Sequence, residues 1–87
     1  MKILFHRRFT KQYRKMPVKT KRHVQERIAV FGQDPFNPAL RNHALGGMFR
    51  GYRSIDITGD TRAIYKALDE DVVEFAYIGT HHELYGT

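Results

Sequence analysis

Cysteine is absent from the 87-residue chain, which excludes a disulfide framework and a thiolate zinc site. A chain this small without staples depends on packing alone or on a partner. Long apolar runs are missing too. Nothing approaches the roughly 20 residues that a membrane-spanning helix needs. The opening MKILFHRRFTKQ has only a short apolar run before His-Arg-Arg, unlike a signal peptide. The expected location is the cytoplasm, with no membrane partner. Acidic residues are scarce as well: nine Asp/Glu stand against fifteen Lys/Arg, a net charge of +6. That balance favours an anionic partner, with nucleic acid or a nucleoprotein as the first candidate. What is present, 41% hydrophobic and 13% aromatic residues, supports a modest core in one domain over residues 1–87.

The periodicity predicts an α+β fold. KILF at 2–5 reads as a strand. From Arg7 the spacing becomes helical, with Phe9, Tyr13 and Met16 on one face and Lys and Arg on the other. Pro17 ends that helix or opens the next. Val24, Ile28 and Phe31 then mark a second helix from Val18 to Phe31, with Gly32 as its expected C-cap. DPFNPALRN at 34–42 is a proline-punctuated loop. Three strands follow, Phe49–Ile57, Thr61–Leu68 and Val72–Ile78, with a short tail HHELYG at 81–86. The expectation is an antiparallel-rich sheet of about four strands with a two-helix hairpin packed on one face.

Charge placement decides the turn. A two-residue turn at Gly59-Asp60 puts Arg62 opposite Ile57, on the apolar face, where an unpaired guanidinium costs several kcal/mol. A three-residue loop, Thr58-Gly59-Asp60, puts Arg62 opposite Asp56 instead, and is therefore predicted. Lys66 then stands opposite Tyr52. A three-residue loop at Asp69–Asp71 sets Glu74 opposite Lys66 and Ile78 opposite Arg62. Ala63, Tyr65, Ala67, Val73, Phe75 and Tyr77 become the floor for the helices, with Phe49, Ile55 and Ile57 on the apolar side of the first hairpin strand. The other face is charged and open. Arg53 is out of pattern, and either reaches out at the sheet end or pairs structurally.

The open face carries Tyr52, Ser54, Asp56, Arg62 and Lys66, and two segments can fold over its ends. One holds His43, the other His81, His82 and Tyr85. Histidines and carboxylates around a fixed arginine suit cleavage of RNA: a base takes the 2′-OH proton, an acid protonates the leaving 5′-oxygen, and a cation stabilises the pentacoordinate phosphorus. Each candidate also has a structural reading, Asp60 as a turn residue, Arg62–Asp56 as a cross-strand pair and Tyr85 as a terminal anchor. No ligand-spaced metal motif appears, and no metal or cofactor is expected. Composition and spacing alone give a basic α/β domain with a charged open sheet.

NHALGG, GYRSIDITGDTRAIYK and VVEFAYIGTHHELYG resemble the RelE/ParE superfamily of bacterial toxins, and among them the YafQ-type branch. The resemblance is specific from residue 42 to 86 and covers the whole chain once the N-terminal strand and helices are included. It implies a RelE-like fold and ribosome-dependent, metal-independent cleavage of mRNA in the A site, held in check by a cognate antitoxin in an oligomeric complex. It also implies roles: His43, Asp60 and His81 as the acid–base set, and Tyr85 as an aromatic against base or phosphate. Arg62 falls where RelE-like relatives keep a transition-state arginine. Arg50, Lys66 and the Asp56–Arg62 pair would hold the phosphate backbone, and the basic helices would face ribosomal RNA. Ser54 and Asp56 depart from the branch, which shows an acid and a histidine there. Two other readings compete: a ParE-like inhibitor of DNA gyrase, from which the histidines argue away, and a degenerate relative that binds only antitoxin or RNA.

Overall fold

In the computed structural model, which describes residues 1–86, strand β1 (Lys2–Phe5) lies parallel to β5 (Val72–Thr80), with Phe5 opposite Phe75. Between them come α1 (Arg7–Arg14), α2 (Val18–Gln33), β2 (His43–Ala44), β3 (Arg53–Asp56) and β4 (Thr61–Asp69). A terminal α3 (His81–Tyr85) follows β5. The sheet has five strands in the order β1-β5-β4-β3-β2, mixed rather than wholly antiparallel. The expected four become five because β2 is a two-residue edge strand, too short to leave any alternation in the sequence.

The helical faces are those the spacing predicts. Phe9, Val24 and Phe31 are buried, and Tyr13, Met16 and Ile28 pack at the margin of the same cluster. His6 caps α1, its Nδ1 accepting the Arg8 N–H at 3.0 Å. Pro17 is the N-cap of α2. Gly32 does not end α2, contrary to expectation. The helical pattern continues to Asp34, whose N–H donates to the Val30 carbonyl at 2.8 Å. The stop comes from Pro35, which forces the residue before it into the extended region, and Asp34 has φ −150° and ψ 88°.

The β3–β4 turn is the predicted three-residue loop: Asp56 faces Arg62 and the Ile57 N–H donates to the Thr61 carbonyl at 2.9 Å. Glu74 stands opposite Lys66, also as predicted. Three other expectations fail. The strand expected from Phe49 begins only at Arg53, because Gly47 and Gly51 take positive φ (59° and 92°) and curl residues 47–51 into a 3₁₀ turn and a bend. Phe49 consequently lies on the face away from Ile55. Further along, Ile64 pairs with Tyr77 but Tyr65 pairs with Phe75, leaving Ala76 as an extra residue. This bulge reverses the alternation. Arg62 therefore faces Gly79 rather than Ile78, Ile78 enters the core, and Tyr77 turns to the other side. Arg8 braces the bulge, its Nε donating to the Ala76 carbonyl at 3.1 Å and its guanidinium 3.9 Å over the Tyr77 ring. The β4–β5 turn is also tighter than predicted, since Asp69 pairs with Val72.

Two clusters result. The main core lies between sheet and helices, with Phe31 edge-on to Phe75 at 5.1 Å and to Tyr65 at 4.8 Å. On the opposite face Phe49 meets Tyr77 at 5.1 Å, Tyr85 at 5.7 Å and Tyr52 at 6.3 Å. That second cluster covers one end of the sheet face expected to be open, and leaves the His43–His81 end uncovered. No helix among the described residues is long and apolar enough to cross a membrane.

Candidate active site

The uncovered end holds a cavity of about 280 Å³ lined by His43, Leu45, Ser54, Arg62, His81 and Tyr85. Three strands and one helix supply it, so its shape depends on the fold rather than on one loop. A larger apolar cavity of about 500 Å³ lies between α1 and α2, lined by Phe5, Phe9, Tyr13, Val24 and Ile28 among others. Its lining contains neither histidine nor carboxylate, whereas the smaller cavity brings two histidines and an arginine together.

His43 sits on β2 opposite Ser54, with Nδ1 2.8 Å from the Arg41 carbonyl. A carbonyl only accepts, so in the neutral ring Nδ1 carries the proton and Nε2 keeps a free lone pair. Asn42 fixes this loop. Its Nδ2 donates to the Pro35 carbonyl and to the Tyr65 hydroxyl, both at 2.8 Å, and its Oδ1 accepts from Arg53 Nε at 2.8 Å. Arg53, out of pattern in the sequence, is thus a structural brace that also lies 5.2 Å from the Phe36 ring.

His81 opens α3. Its N–H donates to the Asp60 carbonyl at 3.1 Å, tying the helix start to the hairpin tip. A capping box holds that start: the Glu83 N–H donates to Thr80 Oγ1 at 3.1 Å, and the Thr80 N–H to Glu83 Oε1 at 2.8 Å. Gly79 permits the close return, since a Cβ there would stand 3.2 Å from Glu83 Oε1. The His81 and Tyr85 rings lie 4.7 Å apart.

Arg62 lies in the cavity wall with its nitrogens engaged. Nε is 3.0 Å from Asp56 Oδ1, Nη1 donates to the Thr58 and Thr61 carbonyls, and Nη2 donates to the Gly59 carbonyl at 3.2 Å. Asp56 Oδ2 faces a second arginine, Arg41, at 3.6 Å. Ser54 is wholly buried, and its Oγ has no hydrogen-bond partner among the described residues.

The candidate residues from the sequence therefore divide. His43, Arg62, His81 and Tyr85 share the cavity, and Asp56 backs it through Arg62. Asp60 is exposed at the hairpin tip and linked to His81 through the backbone. Arg50 and Lys66 lie outside the lining; Lys66 sits 5.4 Å from the Tyr52 ring. Sequence reasoning passed over Arg41 and Asn42. Asn42 lies within the NHALGG motif, and Arg41 carries no pattern signal because its left-handed backbone leaves no mark on composition. No group of three or more His, Asp or Glu able to hold a metal ion occurs among the described residues.

Among curated proteins no sequence matches this chain. Solved structures do. YafQ from E. coli strain BL21(DE3) is 24% identical, with 97% of each chain covered and a TM-score of 0.70. The YoeB/ParE toxin from Agrobacterium tumefaciens is 20% identical, covering 93% of this chain and 99% of that one, with a TM-score of 0.76. The toxin fold in the E. coli DinJ–YafQ complex is 25% identical over 97% of each chain, with a TM-score of 0.67. A family model described as the bacterial toxin of type II toxin-antitoxin system, YafQ, matches residues 1–86. The chain belongs to the YafQ family of type II toxin–antitoxin toxins.

Proposed function

We propose that the protein is a ribosome-dependent endoribonuclease that cuts mRNA in the A site. The observation that carries this reading is the convergence of His43, from β2, and His81, from α3, on one cavity with Arg62 in its wall. His43 is the base, because its Nδ1 is engaged and its Nε2 lone pair is free to take the 2′-OH proton. The 2′-oxygen attacks phosphorus, a 2′-O–P bond forms and the P–5′-O bond breaks. His81, protonated, gives its proton to the departing 5′-oxygen. The products are a 2′,3′-cyclic phosphate and a 5′-hydroxyl, and no metal takes part because the nucleophile belongs to the substrate. Asp60 completes the acid–base set at the mouth, beside His81. Arg62 adds fixed positive charge behind the phosphorus, with Asp56 holding it in place. Tyr85, already against His81, offers its ring to a base. Arg50 and Lys66 guide the strand outside the cavity.

Ribosome binding falls to the basic residues of α1 and α2, through phosphate contacts that carry no sequence choice. A cognate antitoxin, like DinJ in the E. coli complex, would present an acidic segment to the charged face or displace α3, in an oligomeric assembly and in the cytoplasm. Primer extension on programmed ribosomes tests the nuclease reading. Cuts confined to A-site codons, and absent from ribosome-free mRNA, are expected. Intact message from folded protein would reject it.

A further inference from the structure

Resting on that reading, we infer that Arg41 supplies the direct guanidinium contact to the scissile phosphate, and that Asp56 is its positioning residue. Arg62, the arginine in the cavity wall, is poorly placed to make that contact. Its Nε and both Nη atoms are already bonded to Asp56 and to the carbonyls of Thr58, Gly59 and Thr61, and its side chain is only 18% exposed. Four of its five N–H donors are thus taken, which leaves a phosphate oxygen a single Nη2 N–H and no bidentate edge.

Arg41 has the opposite properties. Its side chain is 79% exposed, and its one ion pair among the described residues is the 3.6 Å approach of Nε to Asp56 Oδ2. Asp56 thus divides its two oxygens between an arginine locked into the hairpin and an arginine held loosely at the surface. A loose, exposed pair exchanges readily for a phosphate, whose geometry matches the guanidinium edge bidentately. The carboxylate that would otherwise repel the substrate becomes the clamp that aims a cation at it.

The backbone of Arg41 links this cation to the base. Arg41 is the one non-glycine residue with positive φ, 49°, among the described residues. Such conformations persist only where surroundings hold them, and they concentrate at functional sites. The left-handed turn lets the chain leave the buried Leu40 and aims the Arg41 carbonyl at His43 Nδ1. A single residue therefore sets the tautomer of the base with its carbonyl and carries an exposed guanidinium that, outside the cavity lining itself, shares Asp56 with the Arg62 of the cavity wall.

The test uses full-length protein with a 2′-O-methyl RNA trinucleotide, which binds without being cut. In NMR titrations the Arg41 Nε–H signal is expected to shift more than that of Arg62. Arg41→Asn, which tolerates the left-handed backbone, should weaken binding uniformly across sequences. It should also lower the magnitude of the salt slope by about 0.7, the value for one single-strand phosphate contact. On programmed ribosomes it should cut about 10²-fold more slowly, with Arg41→Lys intermediate. No trinucleotide binding by the wild type, an unmoved Arg41 signal, or an unchanged slope in Arg41→Asn would overturn the inference. Wild-type cleavage matched by Arg41→Asn would remove the Arg41 contact and leave the nuclease reading standing. Trinucleotide binding that depends on Arg41, with ribosomal message left intact, would do the reverse.

Discussion

Asp56 and Arg62 face each other across the β3–β4 hairpin with Nε 3.0 Å from Oδ1, each side chain 18% exposed. The pair staples a three-residue turn, because the same guanidinium bonds the carbonyls of Thr58, Gly59 and Thr61. Arg62→Ala removes all of these at once. Charge-assisted bonds in partial shelter contribute about 1.5–3 kcal/mol, so a loss of about 2 kcal/mol in urea unfolding is expected. Unfolding at the wild-type midpoint would show that the turn holds itself.

The capping box at Thr80 and Glu83 holds the start of the helix that carries His81 and Tyr85. Thr80→Ala should cost about 1 kcal/mol of stability. It should lower kcat more than it raises KM, because α3 frays and carries His81 away from the cavity. Full activity in Thr80→Ala would mean that the tail finds its place by other contacts, the Phe49–Tyr85 packing first among them.

Much of the architecture is legible in the sequence. The helical faces around Phe9 and Phe31 follow from spacing, and the turn length follows from the cost of burying Arg62 unpaired. The missing features are those whose cause is backbone geometry. The Ala76 bulge, which sends Tyr77 to one face and Ile78 to the other, leaves the run of apolar residues unbroken. The left-handed Arg41 gives no composition signal, unlike a glycine. Gly32 misled for the converse reason: a glycine near a helix end resembles a cap, although Pro35 sets the stop. In the site, His43, His81 and Tyr85 stood out by their motif, whereas Arg41 emerges only once Asp56 is seen between two arginines.

Phe49 is the keystone of the second aromatic cluster, 6% exposed and in contact with Tyr52, Tyr77 and Tyr85. Phe49→Ala should cost about 3–5 kcal/mol, the usual range for a buried aromatic. Cleavage should fall further than unfolding explains, since Tyr85 loses its support. Rates measured well below the variant's melting temperature, and equal to wild type, would detach the cluster from the site.

In the proposed reaction the nucleophile is the 2′-OH of the substrate. A single 2′-deoxy or 2′-O-methyl substitution at the nucleotide preceding the cut should abolish cleavage there while ribosome binding persists. End analysis of wild-type products should give a 2′,3′-cyclic phosphate and a 5′-hydroxyl. A cut at the 2′-deoxy position would point to water as the nucleophile and reject the role given to His43.

The most direct measurement compares wild type, His43→Gln and His81→Gln in single-turnover cleavage of message on programmed ribosomes, with folding checked by circular dichroism. The acid–base assignment predicts native-like folds and a loss of at least about 10²-fold for each histidine, the contribution of one general acid or base. Wild-type cleavage by either folded variant would contradict it.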